Sequence, residues 1–336
     1  MNKLRFGILS TGNIARQLAQ GVGTGGKRSN LAAAASRSIE SARDFAQRYN
    51  IPTAHGTYNA LLADPSVDAV YNALPNALHK QWTLKALAAG KHVLCEKPLA
   101  MNHAEAIEMF NAAQKSGRHL IEAFMYRCHP QTQAIVKAVR DGAIGQVKLV
   151  RTSFCYRTKK IAGNVRFDPA LGGGALMDIG CYCIDFTRLI LGEEPSSILA
   201  VGRMHDSGVD IAASGVMQYP SGAEATFSCG MDTQASNLAQ VCGTEGYIDV
   251  PIPWKPPTKG ASWSIRRMTP PKQDAGHLQP GPLHETHTAD AGQPLYALEA
   301  DAFARCVLDG EPAFITPQDS LANARVLDEL KRQVRS

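Results

Sequence analysis

The feature that most constrains the fold is a repeated alternation of short apolar runs and amphipathic segments over residues 4–122. The pattern predicts strands at 4–9, 31–35, 68–74, 91–95 and 119–122, with helices at 13–20, 39–49, 77–89 and 104–115. Gly90 and Gly117 directly follow two of these helices, where a left-handed residue commonly ends a helix. Strand–helix units of this length need crossover connections, so we expect a doubly wound parallel sheet in residues 1–124.

The pattern changes after residue 125, where longer β-type segments begin. Strands are predicted at 147–156, 198–204, 212–219, 223–229 and 247–250, and helices at 131–140, 175–191, 296–308 and 317–333. The turn Tyr219-Pro220-Ser221-Gly222 indicates a hairpin and hence antiparallel pairing. We therefore predict an α+β domain over residues 125–336, with an open, mainly antiparallel sheet and closing helices that can pack back on the first domain.

The segment 251–282 holds eight of the nineteen prolines and is interpreted as an irregular excursion. Thr316, Pro317 and Asp319 form the expected start of the last helix, with a capping hydroxyl, a proline in the first turn and an acid near the helix N-terminus.

Composition narrows the class of protein. The 336 residues suffice for two domains, and the net charge of +5 is dispersed without a Lys/Arg block, which disfavours nucleic-acid and membrane binding. No apolar run is long enough for a membrane span, and no signal peptide is expected. The eight cysteines form no Cys-x-x-Cys pair, so we expect no metal site and free thiols in a reducing cytoplasm.

The first strand-to-helix turn is a candidate dinucleotide site, because such turns hold a pyrophosphate on a helix N-terminus in Rossmann folds. With Ala15, the turn reads S-x-G-x-x-A rather than G-x-G-x-x-G. Gly12 still permits close backbone approach, although an ordinary tight turn is the alternative. The candidate cofactor residues here are Ser10, Thr11, Gly12, Asn13 and Ile14.

The second predicted strand ends in Ser36 and Arg37, where an NAD-binding fold usually carries an acid for the ribose 2′-hydroxyl. Hydroxyls and a guanidinium suit a 2′-phosphate, and Arg43 could assist. We therefore predict NADP in preference to NAD, with a solvated arginine as the alternative.

A lysine follows the strand at 91–95, in the run Glu96-Lys97-Pro98. The carboxyl ends of parallel strands are where such folds bind ligands and do chemistry. Lys97 is therefore a candidate catalytic residue, and a solvated turn lysine is the alternative.

Four motifs together resemble the Gfo/Idh/MocA oxidoreductases over nearly the whole chain. They are Leu74-Pro75-Asn76-Ala77-Leu78-His79, Gly90-Lys91-His92-Val93-Leu94-Cys95-Glu96-Lys97-Pro98, Glu122-Ala123-Phe124-Met125-Tyr126-Arg127-Cys128-His129-Pro130 and Gly172-Gly173-Gly174-Ala175-Leu176-Met177-Asp178-Ile179-Gly180-Cys181-Tyr182. The resemblance is strongest to the branch that contains dimeric dihydrodiol dehydrogenase, NADP-dependent xylose dehydrogenase and glucose–fructose oxidoreductase.

The resemblance implies specific roles. Lys97 is expected near the nicotinamide ribose and the reacting oxygen, with a cis peptide bond before Pro98. Tyr182 is expected to donate or accept a proton, and Asp178 to position substrate and catalytic groups. The residues expected around the cofactor also include Leu74, Pro75, Asn76, His79 and Glu96, although His79 could equally be a satisfied structural histidine.

The residues themselves agree with that chemistry. Asp178 and Tyr182 are four apart on a predicted helix and share a face. Hydride transfer needs a group that moves the alcohol proton, and an isolated tyrosine has a pKa of about 10. We expect the Lys97 cation and an oxidised nicotinamide to lower the pKa of Tyr182. A core tyrosine and a helix N-terminal acid are the alternatives for these two residues.

The substrate side is less constrained. Tyr126, Phe154, Tyr156, Asp178 and Trp254 are candidate substrate residues, and core packing is an equal alternative for the aromatic ones. The function predicted is NADP-dependent hydride transfer between nicotinamide and a sugar or cyclic-diol hydroxyl or carbonyl. An NAD-dependent glycosidase and a non-catalytic nucleotide-sensing regulator are the alternatives. A homodimer or homotetramer through the C-terminal sheet is expected, since an open sheet leaves a broad face to cover.

Overall fold

The computed structural model describes residues 2–267 and 283–335 and contains two sheets. The first holds six parallel strands: β1 (Leu4–Leu9), β2 (Ser29–Ala35), β3 (Thr53–His55), β4 (Ala69–Asn72), β5 (His92–Glu96) and β6 (Leu120–Ala123). Its helices are α1 (Asn13–Gly25), α2 (Ile39–Arg48), α3 (Tyr58–Leu62), α4 (His79–Ala88) and α5 (His103–Ser116). The strand order is β3-β2-β1-β4-β5-β6, as expected for a doubly wound fold.

The second sheet is mainly antiparallel and has the order β14-β13-β12-β11-β7-β10-β9-β8. Its strands are β7 (Val147–Cys155), β8 (Ser197–Met204), β9 (Asp210–Gln218), β10 (Glu224–Gly230), β11 (Ala239–Gly243), β12 (Gly246–Val250), β13 (Ala261–Arg267) and β14 (Leu283–Ala289). The helices of this half are α6 (Pro130–Arg140), α7 (Cys181–Leu191), α8 (Leu295–Asp309) and α9 (Pro317–Arg335). The predicted fold class is confirmed, including the antiparallel hairpin of β9 and β10.

Local chemistry explains where several helices begin and end. The Asn102 side chain caps α5 by accepting from the Glu105 N–H, and Gly117 ends the helix in the left-handed region. The Thr316 hydroxyl accepts a 3.1 Å hydrogen bond from the Asp319 N–H, which matches the predicted start of α9.

Strand β13 corrects the prediction of an irregular excursion over 251–282. Ala261, Trp263 and Ile265 are buried on one face and alternate with less buried residues, which is the period of a half-buried strand. The prolines on either side of this run obscured the alternation. Residues 268–282 of that prediction lie outside the described residues.

Other short elements were also missed. The strands β3, β11 and β14 and the helix α3 have no predicted counterpart. For β3 and α3 the reason is length, because runs of three to five residues carry little periodicity of their own. The helix predicted at 175–191 is interrupted: Leu176–Gly180 forms a wider π-helical turn before α7 begins.

Of the two closing helices, α8 packs onto the first sheet and α9 lies between α5 and the second sheet. Helix α8 contacts α1, β1, β2 and β5, and α9 contacts α5 and β8. The Asp301 carboxylate on α8 accepts hydrogen bonds from the backbone N–H groups of Lys27 and Arg28 at 2.8 and 2.9 Å. The predicted boundary between residues 124 and 125 stays a prediction. Within the described residues, no helix is both long and apolar enough to cross a membrane.

Candidate active site

One cavity of about 800 Å³ lies at the carboxyl ends of β1, β4 and β5 and is closed by residues of the second half of the chain. Its volume is within the range of about 300–1,000 Å³ typical of ligand pockets. The predicted site residues that line it are Ser10, Gly12, Asn13, Ile14, Leu74, Pro75, Asn76, His79, Glu96, Lys97, Phe154, Tyr156, Asp178 and Tyr182.

The turn before α1 has the form of an anion cradle. Ser10 adopts φ 106°, a conformation rare for a residue with a side chain, and its Oγ accepts a 3.0 Å hydrogen bond from the Gly12 N–H. Gly12 is the N-cap residue of α1, and no side chain caps the helix. The first backbone N–H groups of a helix lack partners within the helix, so this end of α1 can bind a pyrophosphate. Thr11 lies in the same turn, and its carbonyl accepts from Arg16.

Ser36 and Arg37 follow β2, beyond the wall of the cavity. The Ser36 N–H donates to the His55 carbonyl at 3.1 Å, and Arg37 is exposed. The nearby Glu40 carboxylate accepts from the Ser38 hydroxyl at 2.6 Å. Arg37 therefore presents an exposed guanidinium at the position where NAD-binding folds usually carry an acid.

Lys97 is held in place by a main-chain carbonyl of the helical turn that follows the glycines 172–174. Its Nζ donates to the Asp178 carbonyl oxygen at 2.6 Å and lies 3.4 Å from Asp178 Oδ1. Burial favours a lower pKa for Lys97, but the Asp178 carboxylate outweighs burial and raises the pKa above its ordinary value. Lys97 is therefore a permanent cation on the cavity wall. The peptide bond before Pro98 is cis, as the resemblance implied.

The Asp178 carboxylate is in contact with three hydrogen-bond donors. Oδ2 accepts from the Tyr156 hydroxyl at 2.5 Å and from Arg166 Nε at 2.8 Å, and Lys97 lies on the other side. Burial favours a higher pKa, but the Lys97 and Arg166 cations and the Tyr156 hydrogen bond lower the pKa of Asp178 to about 2. Arg166 was not predicted, because it lies in a loop whose sequence shows no pattern that links it to Asp178.

Tyr182 is a buried phenol, with 4% of its surface exposed. Lys97 Nζ lies 5.0 Å from the centre of its ring, whereas its hydroxyl contacts Met125 Sδ at 3.5 Å. Burial raises the pKa of Tyr182 well above 10. Lys97 Nζ contacts the Asp178 carbonyl and faces the Tyr182 ring rather than its hydroxyl, so it does not offset burial, and the expected lowering of the pKa by Lys97 is not found. The contribution expected of an oxidised nicotinamide stays a prediction.

Two of the predicted substrate residues do not line the cavity. The Tyr126 hydroxyl donates to Asp185 in the protein interior, and Trp254 Nε1 donates to the Ser153 carbonyl at 2.9 Å. The Trp254 ring stacks on Phe154 with centroids 5.7 Å apart and an 11° interplanar angle. Tyr126 and Trp254 therefore lie behind the cavity wall that Phe154 and Tyr156 form. Which aromatic residues line the cavity and which support its wall depends on packing between distant segments of the chain.

His79 joins two loops of the cofactor side. Its ring nitrogens lie 2.9 Å from the Pro98 carbonyl oxygen and 2.8 Å from the Leu74 carbonyl oxygen. Burial lowers the pKa of His79 to about 4, so the ring is neutral and one of its nitrogens donates. This buried histidine positions the Leu74 and Lys97-Pro98 loops relative to each other.

Glu96 and Asn76 also make structural contacts at the cavity. Glu96 accepts from the Tyr71 hydroxyl and from the Lys97 N–H. Asn76 Nδ2 donates to the Gly172 carbonyl at 2.8 Å and so ties the two halves of the site together.

Gly174 has φ 124°, and a Cβ there would lie 2.2 Å from Asp210 Oδ1, so this loop position requires glycine. No group of three His, Cys, Asp or Glu in residues 2–267 and 283–335 could hold a metal ion.

Comparison with known families gives matches in both halves of the chain. Residues 4–124 match the model described as an oxidoreductase family with an NAD-binding Rossmann fold, and residues 132–249 match the GFO/IDH/MocA C-terminal domain. The chain belongs to the Gfo/Idh/MocA oxidoreductase family. It is thus an NAD(P)-dependent oxidoreductase by family, and the predicted resemblance is confirmed.

Named relatives of this family member span almost its full length. It is 34% identical to trans-1,2-dihydrobenzene-1,2-diol dehydrogenase of Xenopus tropicalis, with 98% of each chain covered. It is 36% identical to D-xylose 1-dehydrogenase (NADP(+)) 2 of Haloferax volcanii, over 97% of this chain and 96% of that one. A 3-ketoreductase from Actinomadura kijaniata, solved in complex with NADP, superposes with a TM-score of 0.88 at 31% identity, covering 99% and 98% of the two chains.

Proposed function

We propose that this protein is an NADP-preferring oxidoreductase that transfers a hydride between nicotinamide and a hydroxyl or carbonyl carbon of a sugar or cyclic diol. The observation that carries the proposal is the convergence of Lys97, Asp178 and Tyr182 on one cavity with the uncapped N-terminus of α1. The relatives named for NADP, xylose and dihydrodiol substrates support the same class of reaction.

The turn before α1 fits a dinucleotide, because Gly12 has no side chain and the helix end has no cap. We assign Ser10, Gly12, Asn13 and Ile14 to the pyrophosphate and the Leu74–Asn76 loop to the nicotinamide side. When bound, the nicotinamide ring supplies or accepts the hydride. His79 and Glu96 contribute by holding the loops that carry these residues.

The proton moves through Tyr182. In carbonyl reduction, the neutral phenol donates its proton to the oxygen that gains negative charge, and in alcohol oxidation the phenolate accepts it. Lys97, which stays charged, stabilises the alkoxide that develops on that oxygen. The Asp178 carbonyl and carboxylate hold Lys97 in place, while Arg166 and Tyr156 hold Asp178.

Arg37 and Ser36 are proposed to bind the 2′-phosphate of NADP. A guanidinium pairs with phosphate through two parallel hydrogen bonds, which favours it over a neutral ribose hydroxyl. Exposure of Arg37 at the end of β2 supports this role.

A homo-oligomer through the second sheet is also proposed. Leu199 and Val201 on β8 are 71% and 74% exposed, and Val216 on β9 pairs with Leu199 and is 42% exposed. This apolar edge of the sheet face would be covered by a second copy of the chain.

The eight cysteines are all free thiols, which supports a reducing cytoplasm as the place of action.

The test is a turnover screen of purified protein with NADP and NAD side by side, across aldoses and cyclic diols. We expect nicotinamide reduction with at least one member and a higher kcat/KM with NADP. Release of nitrophenol from glycosides without net nicotinamide reduction would favour the glycosidase instead. Absence of both activities, with cofactor binding retained, would favour the nucleotide-sensing regulator.

A further inference from the structure

The cavity contains more cations than carboxylates. Its charged lining residues are the cations Lys97, Arg157, Arg166 and Lys255 and the carboxylates Glu96 and Asp178. Lys97 and Arg166 both contact Asp178, at 3.4 and 2.8 Å. Among the described residues, neither Lys255 nor Arg157 forms an ion pair with a carboxylate, so two cations of the wall are left without a counter-ion.

The backbone around Lys255 is fixed on both sides. Gln131 Nε2 donates to the Ile252 carbonyl at 3.0 Å, and Trp254 is anchored by Ser153. Further along, His129 Nδ1 accepts from the Gln131 N–H, so its Nε2 carries the proton and donates to the Pro257 carbonyl at 3.2 Å. An exposed lysine on a well-anchored loop is presented to the cavity in a defined place.

Lys255 lies on the substrate side of the cavity. The preceding Trp254 packs against Phe154 and Tyr182, with centroid distances of 5.7 and 6.0 Å. The Lys255 side chain is exposed at the mouth of the cavity, yet partial desolvation by the surrounding wall and the charge of Lys97 lower its pKa, as expected of a cation that lacks a paired carboxylate. Arg157 is a second exposed cation on the same wall.

We propose that the substrate carries an anionic group, a carboxylate or a phosphate, away from the reacting carbon, and that Lys255 binds this group. The inference rests on the proposed oxidoreductase function and narrows its substrate class to acidic or phosphorylated sugars. Arg157 adds a second donor at the rim. A concave wall with an unpaired cation gains charge-assisted hydrogen bonds when such an anion enters.

The experiment compares glucose, glucuronate and glucose 6-phosphate, which share a ring and differ in charge. Calorimetry measures their Kd for the wild-type protein with NADP bound, and turnover is measured in parallel. Glucuronate or glucose 6-phosphate should bind about 10- to 100-fold more tightly than glucose, as expected for one or two hydrogen bonds to a charged group. Comparison of the Kd of glucuronate with that of glucose 6-phosphate shows whether the site prefers a carboxylate or a phosphate.

Lys255→Gln should bring the ratio of anionic to neutral Kd close to one, and Lys255→Arg should restore most of the preference. Lys259→Gln is the matched control, since it removes the same charge from the same loop at a residue that does not line the cavity. The control should keep the wild-type ratio. Thermal unfolding of each variant checks that the fold is retained.

The inference is overturned if neither anionic sugar binds more tightly than glucose, or if Lys255→Gln leaves the ratio unchanged. It is also overturned if Lys255→Gln weakens NADP binding instead, because the cation then serves the cofactor. An anion preference that depends on Lys255, without turnover of any sugar, would sink the oxidoreductase proposal and retain the anion site. Equal turnover of all three sugars would support the oxidoreductase proposal and overturn the anion site.

Discussion

At the scale of single residues, the site is organised by the electrostatics of Asp178. Two cations and a phenol hold its carboxylate ionised, so the charge of Lys97 is balanced without proton transfer between them. Tyr182 is left as the neutral group whose proton can move. Lys97 and Asp178 form a fixed ion pair because they face each other, whereas Tyr182 stays neutral because its hydroxyl faces neither of them.

Tyr182→Phe is expected to lower kcat about 100- to 10,000-fold in both directions, because it removes the proposed proton carrier. Stability should change little, since within the described residues the hydroxyl hydrogen-bonds to a thioether sulfur alone, and the ring keeps its packing on Phe124 and Phe154. Steady-state kinetics and thermal unfolding check both. Tyr219→Phe is the matched control, a buried tyrosine whose hydroxyl also contacts a methionine sulfur. Full activity in Tyr182→Phe would contradict the assignment.

The pH dependence has a definite sign. Alcohol oxidation needs the ionised form of Tyr182, whose pKa lies well above 10 in this structure, so the rate of oxidation should rise with pH up to pH 9 or beyond. Carbonyl reduction needs the protonated form and should not rise over the same range. Initial rates in both directions between pH 6 and pH 9 measure this. A falling oxidation rate across that range would contradict the role.

Lys97→Met is expected to lower kcat/KM about 100- to 1,000-fold while NADP binding is retained, since a positive charge near the developing alkoxide is lost. Turnover and fluorescence titration with NADPH separate the two effects. Lys85→Met removes an exposed lysine of α4 and should behave as the wild type. Loss of NADPH binding alone, with normal kcat, would place Lys97 on the cofactor rather than at the reaction.

Arg37→Ala should lower kcat/KM for NADP about 10- to 100-fold and leave the value for NAD unchanged, because one charge-assisted phosphate contact is lost. Arg48→Ala, at the end of α2, is the control for the loss of charge nearby. Equal effects on both cofactors would refute the proposed 2′-phosphate contact.

At the scale of elements, the strand ends of the first sheet supply the catalytic loop and its support. Glu122 on β6 is buried, and its Oε1 accepts a 2.9 Å hydrogen bond from the Leu99 N–H, next to Lys97-Pro98. The π-helical turn Leu176–Gly180 carries Asp178 and leads directly into the helix of Tyr182. Each side chain proposed as catalytic is thus fixed by the end of an element rather than by a long loop.

Glu122→Gln tests this support through the pH dependence of stability. Burial raises the pKa of Glu122 to about 7 from an ordinary 4.5, so the folded protein binds the proton more tightly than the unfolded chain. The stabilisation is complete below pH 4.5 and is lost as the pH rises through 7, by up to about 3 kcal/mol. The variant should therefore be more stable than the wild type at pH 8 and similar at pH 5, as measured by denaturant unfolding. The same difference at both pH values would contradict a neutral Glu122.

At the scale of the whole molecule, the cavity exists because two sheets are brought together. The closing helix α8 packs on the first sheet, and the loop after β12 brings Lys255 to the wall of the cavity that Lys97 also lines. The outer face of the second sheet is left with the apolar edge of Leu199, Val201 and Val216.

Leu199→Glu should shift the protein from an oligomer to a monomer at micromolar concentration, because a buried unpaired charge at the interface is costly. Sedimentation velocity measures the change. Ile107→Glu, on α5 and 39% exposed, is the control for a new surface charge. A wild-type protein that sediments as a monomer, or a Leu199→Glu variant that stays oligomeric, would refute assembly through this face.

Local pattern alone predicted much of this protein. Five of the six strands and four of the five helices in residues 4–122, the turn at Ser10–Asn13 and a lysine at the end of β5 all follow from periodicity and from position along the chain. Strand β3 was missed because it has few residues, and β13 because the prolines around it obscure the periodic signal.

The tertiary structure decided which side chains meet. Arg166 and Lys255 reach the cavity from loops without pattern, and Trp254 turns behind Phe154 rather than into the site. Lys97 faces the Asp178 carbonyl instead of the Tyr182 hydroxyl, and burial raises the pKa of Tyr182. Sequence alone determined the fold class and pointed to the candidate site, because both depend on local and chain-order constraints. The orientation and charge state of each group depend on contacts between distant segments, and only the folded protein sets them.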